Sequence, residues 1–96
     1  MSERQLLEAV LAMCARLGLA AYHTHDSRRS RPGFPDLVIV GGGVLWRELK
    51  TDTGVLRPEQ REWGSVLQQA GQDWAIWRPS AWRGGRIELE LLHLRG

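Results

Sequence analysis

The chain has 96 residues, 43% hydrophobic and 25% charged. That is enough for one folded domain, residues 1–96, with a modest core, and it excludes a separate substrate domain. The formal net charge of +2 is a mild basic excess, and the single cysteine, Cys14, excludes a disulfide framework. With no apolar run of membrane-spanning length and no signal-type leader, the expectation is an intracellular, cytoplasmic protein without membrane contact.

Residues 2–17 read as a helix. Ser2 and Gln5 have capping-box spacing, Leu6, Val10, Met13 and Leu17 form an apolar stripe, and Gly18 is a natural stop. Cys14 falls within this pattern as a core thiol. Residues 20–25 read as a first strand, with His23 structural. A polar loop follows at 26–34, holding Ser27, Arg28, Arg29, Ser30 and Arg31. Arginine supplies 12 of the 13 basic residues. Its planar fork suits phosphate, although a compositional bias explains the shortage of lysine equally well. Lys50 is the one lysine in the chain.

Residues 36–40 and 44–50 are β-type runs joined by Gly41-Gly42-Gly43, which predicts a hairpin. With those glycines as the loop, Val40 faces Val44, Val38 faces Trp46 and Asp36 faces Glu48, with opposed Cβ atoms roughly 5 Å apart. Alternation puts Lys50 on the face of Glu48, together with Trp46. Two carboxylates at that spacing repel by roughly 3 kcal/mol at an effective dielectric near 20. Lys50 relieves part of this, and a divalent cation relieves more, with both carboxylates as oxygen ligands. The alternative is an ordinary polar sheet surface with a different register.

A loop at 51–57 turns at Gly54. A second helix begins at Pro58, with Trp63, Val66, Leu67 and Ala70 as its apolar stripe and Gly71 as its end. Residues 74–77 form a short strand stopped by Pro79. Trp63, Trp74 and Trp77 read as core or interface residues. Trp82 falls in a loop and is the best candidate for a dimer contact. Residues 86–95 fit a strand or a helix, with the helix preferred. The order predicts an α/β sandwich with a mixed sheet.

Pro35-Asp36 followed by Glu48-Leu49-Lys50 resembles the signature of the PD-(D/E)XK nuclease superfamily. The run Gly33-Phe34-Pro35-Asp36-Leu37-Val38, with Glu48-Leu49-Lys50 and Pro58-Glu59-Gln60, resembles more closely the VRR-NUC family of virus-type replication-repair nucleases. The resemblance spans nearly the whole chain. It implies a restriction-endonuclease-like α-β-β-β-α-β core, a mixed sheet flanked by helices, and a Mg²⁺- or Mn²⁺-dependent endodeoxyribonuclease. Small stand-alone members resemble Holliday-junction resolvases, homodimers acting on branched, four-way DNA.

On this resemblance Asp36, Glu48 and Lys50 are catalytic. Asp36, Glu48, the backbone carbonyl of Leu49 and Glu3 hold the metal. The family's Glu-x-x-Leu is matched by Glu3-Arg4-Gln5-Leu6. Glu3 shares a helix face with Leu6, Leu7 and Val10, whereas Glu8 points the opposite way. A first-turn acid also complements the helix dipole, which is the competing role for Glu3. Arg28, Arg29 and Arg31, with Ser27, Ser30 and His25, are expected on DNA. Gln60 belongs either near the active site or to a capping box. Leu7 replaces a common glutamine of the family. Arg57 replaces a common Ser or Thr, which removes a side-chain cap worth about 1 kcal/mol. The competing functions are a monomeric flap or nicking nuclease, a non-catalytic DNA-binding module retaining the fold, and a small protein-interaction domain.

Overall fold

The computed structural model describes residues 1–24 and 31–96. Helix α1 (Glu3–Leu17) starts on a complete capping box. Ser2 Oγ accepts from the Gln5 N–H at 3.1 Å, and Gln5 Oε1 accepts from the Ser2 N–H at 2.8 Å. The helix ends as expected at Gly18, whose φ of 72° suits glycine. Its buried stripe is Leu6, Val10 and Cys14, with Met13 and Leu17 packed at the edge. Burial pushes the Cys14 thiol pKa up, as expected of a core thiol.

Strands β1 (Ala20–His23), β2 (Leu37–Val40) and β3 (Val44–Leu49) follow, then helix α2 (Pro58–Gln69) and strand β4 (Asp73–Trp77). Helices α3 (Pro79–Arg83) and α4 (Arg86–Arg95) complete the chain. The sheet order is β1-β2-β3-β4, with β1/β2 and β2/β3 antiparallel and β3/β4 parallel. This is the expected mixed sheet. The hairpin register is also as expected, with Val40 against Val44 and Val38 against Trp46.

Alternation then assigns the faces. Leu37, Ile39, Leu45, Leu49 and Trp77 point to one side and meet Leu6, Val10 and Cys14 of α1, Ala81 of α3, and Ile87, Leu91 and Leu94 of α4. Trp46, Trp74 and Glu48 point to the other side, where α2 packs. The contact with α2 depends on Gly64: a Cβ there would lie 2.6 Å from Cζ2 of Trp74. Gly33 is equally constrained, because its φ is 88° and a Cβ would run into the Glu59 backbone.

Three expectations are corrected. The first strand ends at His23 rather than at residue 25. The buried side of α2 is Gln60, Gly64 and Leu67, whereas Val66 is exposed. Trp82 belongs to α3, not to a loop, and is half-buried against the core. Residues 86–95 are helical, the preferred alternative.

Candidate active site

Asp36 precedes β2, and its backbone is fixed from β1. Thr24 Oγ1 donates to the Pro35 carbonyl at 2.9 Å, and the Thr24 N–H donates to the Asp36 carbonyl at 2.9 Å. Pairing of Leu37 with Arg47 brings Asp36 level with Glu48, one step beyond the ladder. Asp36 Oδ2 accepts from the Leu49 N–H at 2.8 Å, which aims the carboxylate across the hairpin at the Glu48-Leu49 peptide.

Glu48 is 1% exposed, and its Oε2 finds no hydrogen-bond partner among the described residues. A buried, unsatisfied carboxylate oxygen carries a large desolvation cost. Burial is the first cause that drives the Glu48 pKa up to about 9. The Asp36 carboxylate adds to the rise by hydrogen bonding and by its charge, Lys50 opposes it, and Glu3 adds a smaller repulsion. At neutral pH the Glu48 carboxyl therefore keeps its proton. Lys50 is half-buried beside them, its N–H donating to the Trp77 carbonyl at 3.1 Å.

The chemistry of this donor set fits a hard divalent cation. Asp36 and Glu48 offer only oxygen, and one Glu48 oxygen has no hydrogen-bond partner among the described residues. Among the described residues no group of three His, Cys, Asp or Glu side chains is arranged to hold a metal ion. Glu3 is exposed at the start of α1 and reaches Glu48 through its charge. Glu8, on the far side of α1, pairs with Arg4 at 3.3 Å.

Gln60 is buried, and its Oε1 accepts from the Arg57 N–H at 2.9 Å. This is one half of a capping box. Arg57 has no acceptor to supply the other half. The guanidinium of Arg31 lies 5.5 Å over the Trp63 ring. His25, Ser27, Arg28, Arg29 and Ser30 lie outside the described residues.

No protein-family model matches the chain, and no curated protein matches its sequence. Among solved structures, one described as a VRR_NUC domain protein superposes with a TM-score of 0.67 at 20% identity, over 81% of this chain and 78% of that one. The chain has the fold of a VRR_NUC domain. A second structure is Hjc of Archaeoglobus fulgidus, a Holliday junction resolvase from an archaeal hyperthermophile. It superposes with a TM-score of 0.51 at 25% identity, over 80% of this chain and 65% of that one. The VRR_NUC arrangement is restriction-endonuclease-like, with its mixed sheet between helices.

Two features around this site were not anticipated from sequence. Arg78 Nη1 donates to the carbonyls of Thr51 at 2.7 Å and Gly54 at 2.8 Å, pinning the loop that follows Lys50. Asp52 in the same loop bonds the Ser80 N–H and Arg83, and these contacts hold its carboxyl below the usual range. The second feature is Arg47, 2% exposed on the core face. Its guanidinium reaches the Asp73 carbonyl at 2.6 Å, Asp73 Oδ1 at 3.0 Å and Glu90 Oε1 at 2.8 Å. Alternation between Leu45 and Leu49 is the signal for a buried arginine. Its partners are far away in sequence.

Proposed function

We propose that this protein is a metal-dependent, structure-specific endonuclease that hydrolyses DNA phosphodiesters. In its fullest form it is a Holliday-junction resolvase working as a homodimer. The observation that carries the reading is the Glu48 carboxyl, buried against Asp36 with one oxygen unpartnered among the described residues and its pKa raised to about 9. The resolvase part draws on the likeness to Hjc.

Asp36 and Glu48 would hold Mg²⁺ or Mn²⁺, with the Leu49 carbonyl as a further ligand and Glu3 acting from the rim. A bound divalent ion neutralises phosphate charge, activates a water and stabilises the leaving oxygen. The Leu49 N–H keeps Asp36 turned towards Glu48. Loading the site requires Glu48 to release its proton. Lys50, facing the acids as the free enzyme's internal cation, turns to the phosphate when DNA arrives and positions the attacking water. Arg28, Arg29 and Arg31, with Ser27, Ser30 and His25, contact phosphates and carry affinity without sequence information. A two-fold dimer places two such sites on a two-fold four-way junction.

The test is cleavage of labelled four-way junction, flap and linear duplex in Mg²⁺ or EDTA, with Asp36→Asn alongside. We expect Mg²⁺-dependent cutting of the branched substrates that Asp36→Asn abolishes while its melting curve stays cooperative. Normal cutting by Asp36→Asn, or cutting in EDTA, refutes the assignment. Sedimentation on DNA that shows only monomer removes the resolvase version and leaves a flap or nicking nuclease.

A further inference from the structure

We propose that the cleft between β1, residues 31–34 and α2 binds an unpaired nucleobase of the strand lying across the Asp36–Glu48 site. This deepens the nuclease reading and rests on it for the identity of that strand. The cleft has a volume of about 380 Å³ and is lined by Tyr22, Thr24, Arg31, Phe34 and Trp63. That size falls in the usual range of roughly 300–1,000 Å³ for small-ligand sites.

The sheet register relates the cleft to the acids. Tyr22 pairs with Val38, Val38 with Trp46, and Trp46 with Trp74, forming one row across the face. The next row on that face runs through Thr24, Asp36 and Glu48. Two residues along a strand rise about 7 Å. That matches about two stacked nucleotide steps of 3.4 Å. A phosphodiester held at Asp36 and Glu48 thus leaves a base one or two nucleotides away at the level of the aromatic row.

The cleft has the chemistry for that base. Phe34 stands edge-on to Trp63 at 5.1 Å and to Trp46 at 6.0 Å, which fixes the wall. Tyr22 is 63% exposed on the opposite side. Arg31, 5.5 Å over the Trp63 ring, places a cation where the nucleotide's own phosphate would lie. The lining of this cleft contains no carboxylate among the described residues. A smaller cleft of about 250 Å³ shares Arg31 and Trp63 but is also lined by Glu59 and Glu62, whose carboxylates offset that arginine's attraction for a phosphate. Charge therefore selects the first cleft. Stacking is tolerant of base identity, because every base has a π face. A paired base keeps its faces covered by neighbours, so the cleft admits only one that has left the stack.

The experiment measures affinity of the full chain in EDTA, by fluorescence anisotropy, for a labelled oligothymidylate strand and for an abasic strand of equal length. Wild type should prefer oligothymidylate by about 5- to 150-fold, the range for one stacked base. Tyr22→Ala should lose that preference and keep its abasic-strand affinity; its exposed side chain makes misfolding easy to exclude by circular dichroism. Arg31→Ala should weaken both strands alike and reduce the log-log salt slope by about one. Equal wild-type affinity for the two strands overturns the proposal, as does an equal loss on both strands in Tyr22→Ala. Because EDTA stops metal-dependent cutting, the two readings fail separately. A protein with the base preference that never cuts branched DNA in Mg²⁺ retains a nucleobase cleft and loses the nuclease assignment. One that cuts without the preference does the reverse.

Discussion

Replacing Glu48 by glutamine should make the protein more stable and catalytically dead. In the unfolded chain Glu48 ionises near pH 4.5, and in the folded chain near pH 9. Between those values folding takes up a proton, so stability falls as pH rises, by at most about 1.4 kcal/mol per pH unit. By pH 7 the accumulated loss is about 3 kcal/mol; below pH 4.5 there is none. Glutamine keeps the shape, stays neutral at every pH, and offers Asp36 a donor as the protonated acid does. Glu48→Gln should therefore gain up to about 3 kcal/mol at pH 7, roughly 10 °C or more in Tm for a domain of this size. Urea denaturation at pH 4.5, 7 and 8.5 measures the gain, which should grow with pH and vanish at the acid end. Mg²⁺ should stabilise wild type at pH 8 through mass action and leave the variant unmoved. A variant less stable than wild type at pH 7, or one with the same gain at pH 4.5, would refute the idea that Glu48 is held in an unfavourable site.

Two further substitutions separate structural from functional roles. Gln60→Ala removes the one acceptor at the Arg57 N–H and should cost about 1 kcal/mol, lowering Tm without changing cleavage; lost cleavage at unchanged Tm would instead put Gln60 in the active site. Arg47→Ala opens a cavity against Trp77 and removes the cation that the half-buried Glu90 pairs with, and it should cost about 3 kcal/mol in urea denaturation, equally with and without Mg²⁺. A cost under about 1 kcal/mol would show that the buried network contributes nothing to stability.

The hairpin was legible because two independent signals agree on its register. The glycine loop sets where the chain turns, and alternation sets which side chains meet. Asp36 and Glu48 follow from that without any knowledge of the helices. The face of α2 was not legible for a physical reason. Its buried positions are held by Gln60, inside because it caps the helix start, and by Gly64, inside because Trp74 needs the space. Neither carries an apolar signal, while exposed Val66 does. Helix α3 was hidden by Pro79, which stops a strand and opens a helix equally well. The Arg78 clamp and the Arg47 network join residues 24 to 43 positions apart, a distance over which pattern reading has no purchase.

Arg47 and Glu48 are consecutive on β3, point to opposite faces, and are 2% and 1% exposed. Two adjacent buried ionisable groups in one short strand pose related electrostatic problems, and the fold answers them differently. Arg47 is given Asp73, Glu90, two backbone carbonyls and the face of Trp77. Glu48 is given a second carboxylate, a lysine set against both, and for Oε2 nothing among the described residues. The Arg47 guanidinium is thus largely partnered within the chain, although its Nε, like Glu48 Oε2, has no hydrogen bond among the described residues. Local rules broken without internal compensation concentrate at functional sites. On the function proposed above, a divalent cation is the partner that Glu48 Oε2 lacks among the described residues.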